Sequence, residues 1–313
     1  MAYDVNGAVI VDKPPGVTSA GLIARIKKMT MATKVGHTGT LDPFATGVMI
    51  CCFNQATRLS RFFLSGGKKY LATMILGVTT DTQDATGQVL TRSDPGRVTE
   101  ADILGAFSRF TGEISQQPPV YSALKHGGVP LYKLARKGMA VEKPPRKVTI
   151  RSIRPVAMEL PEIHFEVACS GGTYIRTLCA DIGEALGCGG HLKSLRRTES
   201  GGFSIDGAVD MAELETLALS GKLSDKLVRM SAMLSGMEAC VADSRLAEKI
   251  RHGIPIGRRD LAGGTVIPAA NAEYAGYIKL VDGADDLLAV VEIHPDEEPL
   301  RYCCVVNEKG LIT

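Results

Sequence analysis

Glycine and proline interrupt the apolar segments of this 313-residue chain at short intervals. The 34 glycines and 15 prolines are spread along the sequence and do not collect into one linker. Because both residue types favour turns, the pattern predicts many strands and turns. The apolar run at 47–53 is also far shorter than the roughly 18 residues that a membrane-spanning helix needs.

The periodicity of apolar residues predicts alternating strands and helices over the first three quarters of the chain. Strand patterns lie at 7–11, 47–53, 70–78, 147–156 and 163–169, and helix patterns lie at 19–29, 56–64, 99–110, 174–186 and 210–234. Thr18 or Ser19 is suited to cap the first helix. From about residue 237 the sequence changes to short apolar strands, which predicts a large domain at 1–236 and a small β-rich domain at 237–313.

Positive charge is concentrated in one segment, although the whole chain has a net charge of only +2. Residues 121–154 hold nine lysines and arginines against the single acid Glu142. The segment also contains Tyr121 and Tyr132, and further basic residues lie at 68–69 and 191–197. A solvated basic face is one reading of this segment, and an arm that contacts phosphates is the other.

The eight cysteines have no Cys-x-x-Cys spacing, so a structural zinc site is not expected. The adjacent pair Cys51 and Cys52 would point to opposite faces of a strand, which indicates buried, reduced thiols. Residues 1–11 lack the basic flank and the long apolar core of a secretory signal, and we therefore expect a cytoplasmic protein without a membrane partner.

A loop at 34–47 is rich in glycine and threonine and carries His37 and Asp42. Such a loop lets the backbone approach a ligand while the flanking elements fix the side chains. Taken alone, Asp42 before Pro43 is more typical of a turn, and a lone histidine is more typical of a structural hydrogen bond.

Arg176 and Tyr70 also have ordinary explanations when they are considered singly. Arg176 lies early in a predicted helix, where its charge opposes the helix dipole, and this placement suggests an anionic partner. An arginine on a solvated helix face is the alternative. Tyr70 would by default be a half-buried aromatic residue of a strand.

Four separated motifs, taken together, strongly resemble the bacterial tRNA pseudouridine synthase B family. They are DKPPGVTS at 12–19, GHTGTLDP at 36–43, QPPVYSALK at 117–125 with LYKLARKG at 131–138, and GTYIR at 172–176 with LRR at 195–197. The resemblance covers roughly residues 7–205 in the order and spacing of the family. Each motif is weak alone, whereas the ordered set is specific.

The resemblance implies roles for individual residues. Asp42 would be the catalytic carboxylate, Tyr70 the aromatic residue that stacks on the target base, and Arg176 the partner of the aspartate. Tyr174 and Leu195 would line the uridine pocket, and His37 would help to hold the T loop of tRNA open.

The resemblance also implies a fold and an activity. The fold would be α+β, with a mixed, mostly antiparallel central sheet flanked by helices, as in pseudouridine synthases, and a small C-terminal β-barrel of the PUA type. An insertion at about 113–150 would grip the RNA. The activity would be isomerisation of the T-loop uridine at tRNA position 55 by a monomer that needs no cofactor, metal or protein partner.

The chemistry of this isomerisation accounts for the residue types. A carboxylate can attack the sugar or the base, or remove a proton from C2′, and the sequence does not separate these routes. An arginine beside the carboxylate favours its ionised form. The Tyr70 phenol is a hypothetical acceptor of the C5 proton, and with an ordinary pKa of about 10 it would need help, for which Arg176 is the candidate.

Two other functions remain open at the level of sequence. The guide-RNA-dependent enzymes of archaea and eukaryotes share the catalytic loop, but residues 113–150 resemble the insertion of the bacterial enzymes. A non-catalytic RNA-binding or tRNA-folding module is the second alternative. A carboxylate near phosphates would weaken such a module, which argues against it.

Overall fold

A computed structural model describes residues 5–268, 274–294 and 298–306. Most of the regular structure is β. The strands are β1 (Gly7–Lys13), β2 (Val35–His37), β3 (Thr46–Phe53), β4 (Lys68–Leu76), β5 (Val78–Thr80), β6 (Val89–Arg92), β7 (Gly112–Gln116), β8 (Lys125–His126), β9 (Val129–Pro130), β10 (Arg146–Glu159), β11 (Glu162–Cys169), β12 (Gly190–Ser200), β13 (Phe203–Ser204), β14 (Val228–Arg229), β15 (Glu238–Val241), β16 (Thr265–Ile267), β17 (Tyr277–Val281), β18 (Leu287–Glu292) and β19 (Arg301–Val305).

The helices are short. They are α1 (Ser19–Thr30), α2 (Arg61–Leu64), α3 (Glu100–Arg109), α4 (Leu131–Ala135), α5 (Ile175–Ala185), α6 (Met211–Leu219), α7 (Met230–Met233), α8 (Ser244–Arg251) and α9 (Arg258–Leu261). The Thr18 hydroxyl accepts a hydrogen bond from the Gly21 N–H and so caps α1. Thr99 and Asp102 form a capping box at the start of α3.

A large sheet carries the first part of the chain. Its order is β14-β1-β3-β12-β4-β11-β10-β7, with β2 added to β3 and β13 added to β12. The pairing of β3 with β12 is parallel, and the other pairings are antiparallel. The expected mixed, mostly antiparallel α+β fold is therefore confirmed.

Strands β1 and β3 are buried on both faces. Alternate residues of each strand enter two different cores: Val9 and Met49 pack in the core under α1 and α5, whereas Ile10 and Ile50 pack in a second core on the opposite face. Because successive side chains of a strand point to opposite faces, a strand covered on both sides needs an almost continuous apolar sequence. The apolar run at 47–53 is explained in this way.

Strand β12 was not predicted, and the interpretation of 191–197 as only a basic cluster is incomplete. This strand lies in the middle of the sheet and joins β3 to β4. Its Leu192 and Leu195 are buried, and the Arg197 side chain is also fully buried. The charged residues concealed a central strand because arginine is ordinarily exposed.

The helix patterns predicted at 210–234 do not form one helix. The segment contains α6, a short 3₁₀ turn at 223–226, the edge strand β14 and then α7. Gly221 has a φ of 72° directly after α6, a left-handed conformation that ends a helix. The predicted helix at 56–64 is a 3₁₀ helix at 54–60 followed by one turn of α helix, α2.

The C-terminal segment forms a second sheet with the order β16-β15-β17-β18-β19. Strands β15 and β17 are parallel, and the other neighbours are antiparallel. Within the described residues the two edge strands, β16 and β19, do not pair with each other. The structure therefore shows a separate C-terminal sheet, but not the closed barrel that the resemblance implied.

The two sheets share a hydrophobic core. The side chains of Ile10 and Ile50 belong to the same buried cluster as Val281 and Val290 of the second sheet. The Phe62 ring meets the Tyr277 ring edge-on, with 5.4 Å between centroids. The Lys279 ammonium, buried at this boundary, donates to the Ser231 carbonyl at 3.0 Å.

All eight cysteines are free, and seven of them are buried. Burial raises the pKa of the Cys51 and Cys52 thiols, so both stay protonated, as expected of buried reduced cysteines. Among the described residues, no helix combines the length and the apolar character required to cross a bilayer.

Candidate active site

The loop at 38–45, between β2 and β3, carries Asp42 at the centre of the large sheet. The side chain of Lys13, at the end of β1, hydrogen-bonds to this loop. Its fully buried ammonium donates to the carbonyls of Pro14 at 2.9 Å, Pro43 at 3.1 Å and Ala45 at 2.6 Å. Burial lowers the Lys13 pKa to about 8, whereas the nearby Asp42 charge and the three carbonyl oxygens favour the charged form.

The segment after β1 fixes the other side of the same loop. The buried Ser19 hydroxyl accepts from the Leu41 N–H and lies 2.9 Å from the Leu41 carbonyl, to which it donates. The Gly16 N–H donates to the Pro43 carbonyl at 2.8 Å. The motif at 12–19 therefore acts on the conformation of the Asp42 loop through backbone contacts.

Arg176 reaches Asp42 from the first turn of α5. Its Nε atom lies 2.9 Å from Asp42 Oδ2, and its Nη2 donates to Asp42 Oδ1 at 3.4 Å. The Nε contact is an ion pair in which the N–H is not aligned with the oxygen. The Arg176 side chain is 4% exposed and that of Asp42 is 33% exposed. Asp42 is thus the anionic partner that the unfavourable position of Arg176 in its helix suggested.

Three further groups hold the Arg176 guanidinium. Its Nη1 donates to the Thr82 carbonyl at 2.9 Å, and its Nη2 donates to the Tyr121 carbonyl at 2.8 Å. The buried Asp84 carboxylate lies 3.5 Å from Nη1. Asp84 is itself fixed, because Thr86 donates to it through both its N–H and its hydroxyl. A planar guanidinium with this many partners has one orientation only.

Burial raises the pKa of Asp42 above its ordinary value of 3.8, and the negative charge of Asp84 acts in the same direction. Arg176 and Lys13 oppose this increase. The expectation that Arg176 favours the ionised carboxylate holds for the sign of its contribution. The loss of water around Asp42 is the larger effect, so the net change in pKa is upward.

Tyr70 lies on β4, opposite Arg197 of β12. Burial raises the pKa of the Tyr70 phenol to about 12, and the Arg197 guanidinium beside the phenol lowers it in part. The phenol is therefore un-ionised at neutral pH. The candidate helper of Tyr70 at the level of sequence was Arg176, but the arginine that faces Tyr70 across the strands and lowers the pKa of its phenol is Arg197.

Arg197 also ties β12 to the Asp42 loop. Its Nε donates to the Val48 carbonyl at 2.7 Å, and its Nη2 donates to the Gly39 carbonyl at 3.1 Å. Gly47 has a φ of 104°, and a Cβ at this position would lie 2.1 Å from the Arg197 carbonyl oxygen. Only glycine permits this approach of the two strands.

The other predicted site residues lie on elements around this centre. Leu195 is on β12 with 8% of its surface exposed, two positions before Arg197. His37 is the last residue of β2, and its Nδ1 accepts from the Gly39 N–H at 3.3 Å. Burial and the Arg197 charge lower the His37 pKa below 6.5, so the ring is neutral at neutral pH.

Tyr174 directly precedes α5 and is held by two side chains. The amide of Gln116 donates from Nε2 to the Tyr174 carbonyl at 3.0 Å, and its Oε1 accepts from the Tyr174 N–H at 2.8 Å. The Arg146 guanidinium lies over the Tyr174 ring, 4.8 Å from its centroid. Arg146 also donates to the Gly172 carbonyl.

The basic segment lies largely at the surface. Strands β8 and β9 form a small hairpin that leads into α4. The side chains of Lys125, Lys133, Arg136 and Lys137 are exposed and, in the part of the chain that the structure describes, form no ion pair. By contrast, Lys147 pairs with Glu113 at 2.7 Å. Much of the positive charge of this segment is therefore available to an external anion.

Several buried polar residues that hold groups of the site escaped the sequence analysis, among them Lys13, Asp84, Gln116 and Arg197. Lys13 and Arg197 stand inside recognised motifs, so their position was a usable signal. Asp84 and Gln116 gave no local signal, because their partners are far away in the chain. Groups of histidine, cysteine, aspartate or glutamate that could hold a metal ion are absent from the described ranges.

Comparison with known families gives two adjoining matches. Residues 27–175 match the N-terminal domain of TruB family pseudouridylate synthases. Residues 176–242 match the C-terminal domain of tRNA pseudouridylate synthase B. Arg176 stands at the junction of these two matches.

Curated proteins and solved structures are also similar to this chain. A tRNA pseudouridine synthase B of Geobacter sulfurreducens is 44% identical over 267 residues, which span 85% of this chain and 88% of the relative. The tRNA pseudouridine synthase B of Syntrophotalea carbinolica is 48% identical over 214 residues, or 68% of this chain and 70% of the relative. A chain in the crystal structure of a Cbf5-Nop10-Gar1 complex superposes with a TM-score of 0.73 at 26% identity, covering 96% of this chain and 84% of that one.

Proposed function

Since the chain belongs to the TruB family of pseudouridylate synthases, we propose that it isomerises the T-loop uridine of tRNA at position 55, with Asp42 as the catalytic carboxylate. Pseudouridine synthesis in tRNA is the activity that the names of its relatives carry. The reaction class is that of an isomerase.

The reaction breaks the C1′–N1 bond of uridine, turns the base and forms a C1′–C5 bond. N1 gains a proton and C5 loses one, so atoms and electrons balance within the substrate. The proposal therefore includes no cofactor and no metal. A carboxylate and a proton acceptor suffice, whether the carboxylate attacks carbon or removes a proton from C2′.

The observation that carries the proposal is the contact of 2.9 Å between Arg176 and Asp42. A carboxylate that is one-third exposed but fixed by a buried arginine can react with a substrate without changing its orientation. Lys13 and Ser19 hold its backbone as well, so the loop is preorganised. An aspartate that only forms a turn before proline would not require a buried arginine at its carboxylate.

The remaining site residues receive roles that fit their positions. Tyr70 would stack on the extruded base, with Tyr174 and Leu195 lining the pocket. A base must leave its stack to reach a carboxylate inside an enzyme site, and an aromatic face can receive it. His37, neutral and close to the protein surface, would contact the T loop. We propose that Tyr70 accepts the C5 proton as the phenolate, after its own proton has passed to solvent, and that the Arg197 guanidinium favours this minor ionised form.

The exposed lysines and arginines of 113–150 support tRNA as the macromolecular substrate. Their charge is available for phosphate contacts, which dominate the affinity of proteins for nucleic acids. We propose that this insertion grips the T arm, and that the chain acts as a monomer without a protein partner. The tRNA-specific relatives are 44% and 48% identical to this chain, whereas the likeness to the Cbf5 complex is 26%, which favours the tRNA enzyme over the guide-dependent one.

We also propose a division of the chain into a catalytic domain at 1–236 and a PUA-like RNA-binding domain at 237–313. The second sheet begins at Glu238, which supports a boundary close to this residue.

The decisive experiment uses the purified chain alone with an unmodified T-arm stem-loop, followed by mapping of pseudouridine. We expect product at the T-loop uridine and none with Asp42→Ala. Absence of product with folded wild-type protein would refute the proposed activity. Equal product from Asp42→Ala would refute the role of the carboxylate, whereas folded wild-type protein that binds the T arm without forming product would leave an RNA-binding function as the better reading.

A further inference from the structure

We propose that Gln116 is a positioning residue for catalysis: by holding both backbone groups of Tyr174, it fixes the start of α5 and thereby the orientation of Arg176 towards Asp42. This inference rests on the roles proposed above for Asp42 and Arg176. It gives a function to a residue of β7 that touches neither reacting group.

The start of α5 lacks an ordinary cap. Tyr174 occupies the N-cap position, and its side chain makes no capping hydrogen bond. Serine, threonine, aspartate or asparagine would normally satisfy the first N–H groups of a helix. The residues before it include Gly171 and Gly172, which add backbone freedom. The helix that carries Arg176 thus begins without an anchor of its own.

Gln116 supplies this anchor from a distant strand. Its side chain is completely buried, and its amide makes two hydrogen bonds, at 3.0 and 2.8 Å, to the carbonyl and the N–H of Tyr174. A primary amide used in this way restrains the Tyr174 backbone as a neighbouring strand would. Loss of the amide would leave the Tyr174 N–H without its partner, and the Tyr174 carbonyl would keep only the intrahelical hydrogen bond from the Leu178 N–H at 3.1 Å.

A second contact acts on the same point. Arg146 is the direct cross-strand partner of Gln116 in the pairing of β7 with β10. It lies over the Tyr174 ring and donates to the Gly172 carbonyl. One pair of facing residues therefore restrains the backbone of Tyr174, its ring and the loop before it.

The same strand also leads to the arginine itself. Tyr121, five residues after Gln116, accepts from Arg176 through its carbonyl at 2.8 Å. The segment 116–121 thus contacts both Tyr174 and Arg176. Strands β7 and β10 lie at the two ends of the proposed RNA-gripping insertion. Gln116 therefore links this insertion to the helix that carries Arg176.

The test compares Gln116→Met, which keeps the length but removes the amide, with Gln116→Glu, which keeps an acceptor but loses the donor. Gln88→Met is the matched control, because Gln88 is exposed and lies outside the site. For each protein, kcat, KM and T-arm affinity are measured on the folded fraction. We expect Gln116→Met to lower kcat about 10- to 100-fold with KM little changed, because small misplacements have effects of this size. Gln116→Glu should be intermediate, and Gln88→Met should equal wild type.

A further readout does not depend on turnover. The pKa of the Asp42 carboxyl is followed by NMR titration in wild type and Gln116→Met. Arg176 lowers this pKa, so a misdirected Arg176 should let it rise. Unchanged kcat and unchanged Asp42 pKa in Gln116→Met would overturn the inference. Parallel losses of kcat and of folded protein in both Gln116 variants, with the Asp42 pKa unchanged, would also overturn it. An inactive wild type would instead refute the proposed function, while the titration would still test the position of Arg176.

Discussion

Arg176 Nε lies 2.9 Å from Asp42 Oδ2, although 134 positions separate the two residues in the sequence. The contact joins the loop before β3 to the first turn of α5. Four groups hold the guanidinium, two of them backbone carbonyls. The position of Arg176 is therefore built into the fold and does not depend on a bound substrate.

Arg176→Lys should abolish most of the activity although it conserves the charge. A lysine ammonium cannot contact Asp42, the Thr82 carbonyl and the Tyr121 carbonyl in one plane. We expect a decrease of about 100-fold or more in the single-turnover rate on a T-arm substrate. Arg25→Lys serves as control, since Arg25 makes an exposed ion pair with Glu215. A rate for Arg176→Lys within a few-fold of wild type would argue against the role of the guanidinium geometry.

The pH dependence of catalysis should reflect the raised pKa of Asp42. Protonation removes the active carboxylate as the pH falls through its pKa in the folded protein, which lies above 3.8. The acidic limb of the single-turnover rate should therefore lie at a higher pH than for an ordinary aspartate. Asp84→Asn should move this limb to lower pH, because the Asp84 charge raises the Asp42 pKa. A shift in the other direction would contradict this account of the electrostatics.

Asp42→Asn should be inactive and yet more stable than wild type at neutral pH. The pKa of Asp42 is higher in the folded protein than in the unfolded one. Ionisation of Asp42 therefore lowers the free energy of unfolding at pH values above the folded pKa. Stability attributable to the protonated group is complete below pH 3.8 and is lost as the pH rises through the folded pKa. Chemical denaturation of both proteins at neutral and acidic pH measures the difference between their free energies of unfolding. This difference should shrink on acidification. An Asn variant less stable at neutral pH would show that the ion pair outweighs desolvation.

Tyr70→Phe should keep base binding and lose turnover. The ring remains, but the hydroxyl that we propose as proton acceptor is gone, and the expected decrease in rate is about 100- to 10,000-fold. Since the phenol pKa is about 12, the phenolate fraction grows with pH throughout the ordinary range, so the rate of C5 proton removal should rise with pH and reach no plateau there. Binding of the T arm and product formation are measured separately, with Tyr277→Phe as control. Full activity of Tyr70→Phe would remove the phenol from the mechanism.

Gly47→Ala should destabilise the sheet more than Gly16→Ala. Both glycines have a positive φ, 104° and 79°, which costs alanine about 1–2 kcal/mol. A Cβ at Gly16 meets nothing within 4 Å, whereas at Gly47 it lies 2.1 Å from the Arg197 carbonyl oxygen. We expect a further loss of about 1–3 kcal/mol for Gly47→Ala from overpacking. The free energies of unfolding from denaturant titration give the comparison, and equal values would show that β3 and β12 separate at little cost.

Local patterns were sufficient for most individual elements. The Thr18 cap of α1 was readable because it depends on residues three positions apart. The apolar run of β3 was equally clear, since burial on both faces leaves no polar positions. These features depend on neighbours in the chain, and a single sequence contains that information.

Features that depend on distant partners were not readable. Strand β12 was concealed by its charged residues, Arg196 and Arg197. Arg196 pairs with Asp12, and Arg197 donates to two backbone carbonyls, all far away in the sequence. Arg197 also took the place of Arg176 as the neighbour of the Tyr70 phenol, because strand register decides this contact. In the sequence, nothing distinguishes Gln116 from other polar residues, because its hydrogen bonds go to the distant Tyr174 backbone.

The hydrophobic core that joins the two sheets has a consequence for truncation and domain exchange. Ile10 and Ile50 are buried together with Val281 and Val290, so a chain cut near residue 237 would leave an uncovered apolar face on β1 and β3. Such patches promote self-association. The C-terminal sheet therefore cannot be exchanged between relatives as a cassette unless the side chains on both sides of this boundary are exchanged with it.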